Sequence, residues 1–490
     1  MIAMEIDFRI ITFPDWRLTV FKRFLSPFLA LFLGLTLLFS FQPSARAASP
    51  GISLSITSGP PTSLVNVTGS GFGVYETVEL SFDSHPISAA TTNSSGAFTK
   101  KITIPAAALP GVHTIQAVGQ ESGLSAQAPF LVQTNWPMFG FFSTHAHDNP
   151  YENVISATNA ASLALDWKYH VGAGAASSSP VVYHGVIYII IGDALDALDA
   201  TTGVLLWSYP AGYGSPAVIN GIVCFDVGDA LDAVNATTGA LLWSYPIDAG
   251  DEVTSYPTVI NDVVYFGTSN GLLYALNVTT GTKLWMFDTG GGSNAAIFSS
   301  PAIGSGVVYF GTWVPYDKLY AVNAKTGTLV WTYTTGGFIP SSPAVVDGVI
   351  YFLSTDHYLY ALNTSGVRLW RYFTLKTGLA ASSPAVANGV VYVGAAHTLF
   401  AVNAGTGKLS WDYTTGQKIT SSPSVANGVV YVGSFDHKFY AWNATSGERL
   451  WSFTTEGKIY QSSPAVANGI VYITSGDGYL YAFHLPGSDR

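Results

Sequence analysis

Cysteine occurs once among the 490 residues, at Cys224. A lone thiol forms no internal disulfide and cannot hold a haem or a thiolate cluster by itself. Its surroundings, Gly221 to Phe225, read as a strand, which makes it a small buried hydrophobe. Charge is scarce as well: charged residues make up 10% of the chain, against about 25% in ordinary soluble domains. Basic residues are the scarcest, 20 against 30 acidic ones, for a net charge of −10. Such a chain has no basic face to meet phosphates, which excludes nucleic acid and disfavours an anionic membrane surface as partner.

An uncharged apolar run extends from Phe24 to Phe41, after Lys22 and Arg23 and before Ala45-Arg46-Ala47. That order of basic, apolar and small residues predicts a secretory leader over residues 1–47, cut before Ala48. The run also just reaches the length of a membrane span, so an uncleaved N-terminal anchor is the alternative. Both readings place the mature chain outside the cytoplasm, secreted or on the cell surface.

What is abundant is glycine (50) and aromatic side chains (12 Trp, 27 Tyr, 28 Phe), the composition of many short strands joined by tight turns. Residues 48–133 lack both helical periodicity and any repeat. Short apolar stretches around Leu64, Val78, Phe98, His113 and Phe130, separated by Gly-, Pro- and Ser-rich turns, predict a small β-sandwich. Residues 134–164 form a connecting stretch. His145, His147 and Asp148 are metal-ligating residue types within it, but their spacing is not that of a zinc site. The expectation is a surface loop crossing one face of the C-terminal domain.

From Pro180 onward a Ser-Pro-rich lead-in recurs at Pro216, Pro257, Pro301, Pro343, Pro384, Pro423 and Pro464, each preceding two apolar strands. Units of this size cannot bury their apolar faces alone, so they must pack side by side around an axis. A second element follows seven of the eight lead-ins, as in Ala197, Asp199, Thr202, Gly203 and Trp207, or Ala233, Asn235, Thr238, Gly239 and Trp243. The Asn or Asp caps a tight turn and the glycine takes positive φ. The tryptophan should lie between neighbouring sheets, with of order 4–6 kcal/mol of gross transfer free energy each. The tryptophans in this role are Trp167, Trp207, Trp243, Trp285, Trp331, Trp370, Trp411 and Trp451. Trp167 precedes the first repeat, whereas the last repeat ends at Phe483 without one. Leu165 to His170 should therefore complete the final unit.

This Trp-docking element resembles the repeat of the quinoprotein (PQQ-like) propeller family. The resemblance implies an all-β fold: an eight-bladed β-propeller over residues 165–490. The preceding module resembles bacterial immunoglobulin-like domains, through Val67 to Phe72 and Ala97 to Pro105. Of the function, the family resemblance says less. Enzymes of that family hold pyrroloquinoline quinone (PQQ) over calcium and oxidise alcohols or sugars. The paired cysteines and haem motif that often accompany that activity are missing here. Asp251 and Glu252, just before the third lead-in, are the candidate metal ligands should a calcium site exist.

The favoured reading is a non-catalytic, monomeric binding or scaffold protein without a cofactor. Its partner is a surface protein or glycan, met by the exposed Trp313 and Tyr316 of the fourth unit. The chain is also similar to the outer-membrane assembly lipoprotein whose propeller binds partners, although Ala48 stands where that protein carries a lipidated cysteine. Six of the eight turns on one face carry aspartate, among them Asp356, Asp436 and Asp477. Local turn capping accounts for them better than a shared binding ring.

Overall fold

Residues 49–170, 178–313, 317–374 and 382–487 are described by the computed structural model. The expected leader over residues 1–47, Tyr316 and the basic Lys376 lie outside them. Among the described residues no helix is long and apolar enough to cross a membrane.

The N-terminal module packs a three-stranded sheet (Gly51–Leu54, Leu64–Ser70, Phe98–Thr103) against a five-stranded one (Ser58–Gly59, Ser125–Val132, Gly111–Gly119, Thr77–Phe82, His85–Thr91). Strict alternation drives this arrangement. In Leu64–Ser70 every second side chain is buried, and Val65 and Val67 meet Val78, Leu80, Ile115 and Phe130 in a core that excludes water. The strand His85–Thr91 is not predicted from sequence because its small, half-exposed residues show no such alternation.

Eight antiparallel sheets come next, all built on one four-stranded plan. The first runs Val181–Tyr183, Val186–Ile191, Ala194–Asp199, Leu205–Pro210. The central two strands are almost wholly buried in each sheet, because both of their faces meet neighbouring sheets. The seventh gains a two-residue fifth strand, Asp148–Asn149, from the connecting stretch. The eighth takes its outer strand from early in the chain: Ala164–His170 pairs with Tyr479–His484, as the missing tryptophan implied.

Seven of the eight docking tryptophans rest on the turn glycine of the next sheet, and Trp451 packs instead on Phe439 and Phe483. A Cβ on Gly239, at φ +69°, would stand 2.7 Å from the Trp207 ring. The indole nitrogen of Trp207 donates to the Ala236 carbonyl (3.1 Å), and Trp243, Trp285, Trp370 and Trp411 repeat that bond. The rings are only partly buried, however, because the outer strands face solvent. Their contribution is therefore smaller than full burial would give. The apolar core lies in the two strands inside them.

The double-serine lead-in has two separate tasks. Its first hydroxyl accepts the N–H at the end of its own sheet's second strand, as Ser341 does from Leu353 (2.8 Å) and Ser421 from Gly433 (3.2 Å). The second accepts a backbone N–H from the preceding sheet. Ser300 donates to Ser342, Ser342 to Ser383, Ser383 to Ser422 and Ser422 to Ser463. The Ser463 N–H of the eighth sheet donates to the hydroxyl of Ser179 in the first (2.9 Å), and Ser179 donates in turn to Ser215.

The connecting stretch is where expectation and structure part. It does not cross a face; it is buried against the inner ends of the sheets, with Trp136, Phe141, His145, His147 and Asn149 all at 2% exposure or less. It meets every innermost strand. Trp136 exchanges backbone bonds with Val182, and the Pro137 carbonyl accepts from Val218. His145 reaches the Thr258 hydroxyl at 3.0 Å. The carbonyls of Ser143, Thr144, Ala146 and His147 accept from Ile303, Val345, Val386 and Val425, and the Asn149 amide donates to Val466. Innermost strands have one unpaired edge each, and this segment bonds to the backbone of seven of them, the third being met through the Thr258 hydroxyl. The two imidazoles are neutral, their pKa values pushed down to about 3 by burial.

Two measurements test these roles. Gly239→Ala forces a side chain into the Trp207 ring at a left-handed backbone, and should lower stability by about 1–3 kcal/mol in urea unfolding. Burial also pushes the Asp148 carboxyl from its ordinary 3.8 up to about 7. Between those values the folded chain keeps a proton that the unfolded chain releases, so stability falls as pH rises through this window. Asp148→Asn should flatten that slope and gain about 1–3 kcal/mol at pH 8, read from unfolding midpoints at pH 5 and pH 8.

Candidate functional site

Where the inner strands converge they leave a cavity of about 670 Å³. Phe139 of the buried connecting segment lines it, with its ring edge-on to Tyr256 at 5.2 Å. Ser300, Ser342, Ser383 and Ser422 of the hydroxyl series also line it, so much of the wall is polar but uncharged.

One sector departs from the repeat. Tyr256 occupies the seat before proline that serine fills in the other seven units. Its ring lies over Gly214, where a Cβ would come within 3.0 Å, and Gly214 itself replaces the first lead-in serine of the second unit. Two more exchanges lie in the strand Ile222–Asp226. Cys224 takes the position of Tyr188, Tyr265 and Tyr392, which pair with Val181, Thr258 and Ala385 as Cys224 pairs with Ala217. Two residues on, Asp226 stands where Gly267, Gly311 and Gly433 stand in their units. Cys224 is buried, and burial pushes its thiol pKa up, so it is an inert core residue.

Asp226 is 8% exposed, and its carboxyl is pushed up to about 6 by desolvation, with the charge of Glu252 adding to the effect. Both residues line the cavity. Asp251, the other candidate metal ligand, serves a different end. Its Oδ1 accepts from the N–H groups of Glu252 and Asn270 and from the Ser269 hydroxyl, capping a turn that has no aspartate of its own. The same work is done by Asp356, Asp436 and Asp477, each bonded to a tyrosine hydroxyl and to neighbouring backbone N–H groups. Among the described residues, no three His, Cys, Asp or Glu side chains gather as a metal set.

Trp313 lines the cavity at 37% exposure, between Phe298 (ring centroids 5.1 Å) and Phe338 (4.1 Å). Tyr213, at 76% exposure, lines it too. Sequence reasoning singles out Trp313 and Glu252 but misses Asp226, Tyr213, Tyr256, Phe298 and Phe338. A signal for Asp226 and Tyr256 is present: Asp226 puts the only charge in a column of glycine (four units), isoleucine, leucine and threonine, and Tyr256 breaks a column in which the other seven units carry serine.

The comparisons with known proteins point to one repeat superfamily. Solved structures of like fold include quinohemoprotein alcohol dehydrogenase ADHIIG from Pseudomonas putida HK5 (18% identity, TM-score 0.64, 73% of this chain and 81% of that one). A europium-containing methanol dehydrogenase matches at 15% identity and TM-score 0.63, over 72% of this chain and 98% of its own. BamB from Moraxella catarrhalis matches at 18% and 0.55, over 67% and 99%. No match was found among curated proteins. The sequence profile described as Outer membrane protein assembly factor BamB covers residues 214–313 and 301–488, more than half of the chain. The chain therefore belongs to the family of outer membrane protein assembly factor BamB.

Proposed function

We propose that this is an extracytoplasmic, non-catalytic binding protein of envelope assembly, whose eight sheets close into an eight-bladed propeller behind an immunoglobulin-like module. Family membership supports the assembly-factor reading over a free cell-surface scaffold. The ring reading draws on the serine series that returns to Ser179 and on the eighth sheet, completed by Ala164–His170. The ligand is taken at the cavity, through Tyr213, Trp313 and the rings beside it.

The observation that carries the non-catalytic part is the charge of the cavity wall. Asp226 and Glu252 are its only charged side chains among the described residues, and both are acidic. PQQ carries three carboxylates, and the described wall residues, which include no basic group, leave them unpaired and repelled. The cofactor does not fit this wall. The same wall suits an uncharged or cationic segment of polypeptide, with aromatic anchors near the cavity and hydroxyls deeper in.

An unfolded outer-membrane β-barrel polypeptide, immobilised and offered to the purified protein, should capture it. A Tyr213→Ala/Trp313→Ala double variant should bind about tenfold more weakly. Alcohol-driven dye reduction after adding PQQ and calcium to the same preparation would replace this reading with the dehydrogenase one.

A further inference from the structure

The acidic and aromatic groups line the same cavity, and together they specify a ligand more narrowly than either does alone. We propose that the cavity binds organic ammonium groups, held against the face of Trp313 and neutralised by the carboxylates of Asp226 and Glu252. The assignment rests on the binding role proposed above and names the chemistry that the cavity selects.

Three features converge on it. Aromatic faces are electron-rich and attract cations placed over them, with tryptophan the strongest. Trp313, partly exposed and flanked by Phe298 and Phe338, offers such a surface. Secondly, two carboxylates line one cavity with no cationic partner among its described wall residues, and the charge of one raises the energy of the other. An entering ammonium group relieves that repulsion. A neutral sugar would stack on the rings but leave the repulsion in place, and an anion would add to it. Thirdly, a volume of about 670 Å³ is the size of a small-molecule site and admits a side chain or a free amine, not a folded domain. The serine hydroxyls of the wall can accept the remaining N–H groups of a primary ammonium.

The ammonium can come from a free small molecule or from a lysine of a partner polypeptide. Titration calorimetry on the full chain separates these sources with four probes. They are choline, its neutral isostere 3,3-dimethylbutan-1-ol, Nα-acetyl-lysine amide, and the same amide acetylated on Nε. Choline or the free-amine lysine probe should bind at least about tenfold more tightly than its neutral counterpart. The tighter of the two identifies the source.

Glu252 is exposed, so Glu252→Gln leaves the fold intact and should weaken binding about three- to tenfold. Trp313→Ala should weaken it about tenfold, with near-ultraviolet circular dichroism checking the fold. Equal binding of charged and neutral probes, no heat at millimolar choline and lysine amide, or full affinity in Glu252→Gln would overturn the proposal. If cations fail to bind while the unfolded barrel polypeptide is still captured through Trp313, the cation assignment falls and the binding role stands.

Discussion

Backbone polar groups at a crowded centre are the constraint on which this structure depends. Eight short innermost strands converge there, and each has an edge that no further strand can pair. A dry, unpartnered N–H or carbonyl costs on the order of 1–3 kcal/mol, so eight open edges would outweigh the net stability of many domains. The chain meets the demand at two levels. The segment from Trp136 to Asn149 bonds to each innermost strand, and the serine hydroxyls carry bonds from one sheet to the next. The docked indoles, which look dominant in the sequence, act further out and are partly wet.

That division explains what could be read from residues alone. The repeat was legible because each unit solves the same local problem with the same residues: serine pair, proline, apolar strands, capped turn, tryptophan. The register of the eighth sheet was legible by counting, since Trp167 lacked a unit before it and Phe483 lacked a tryptophan after it. The buried course of residues 134–149 was not. Its main contacts are made by backbone carbonyls, which leave no trace in side-chain identity, and its histidines and asparagine look like those of a solvated loop.

The cavity was half legible for a related reason. Trp313 stood out as a bulky residue in a loop. Asp226 and Tyr256 stand out only when the units are laid over one another, because aspartate after an apolar strand and tyrosine before proline are ordinary in isolation. Asp251 shows the reverse. It was conspicuous beside Glu252, yet the fold uses it to cap the turn at Ser269 and Asn270. Adjacent acidic residues in sequence thus divide between holding a turn and facing a void.

The eighth sheet has a consequence for biogenesis. Its outer strand, Ala164–His170, leaves the ribosome roughly three hundred residues ahead of its partner Tyr479–His484. Sheets one to seven can form in sequence as they emerge, each on the one before. The early strand must wait with an open hydrogen-bonding edge until the final hairpin arrives. Throughout export the nascent chain therefore carries an adhesive, unmated strand, and the period of greatest exposure to aggregation or chaperone capture ends only with the last hairpin.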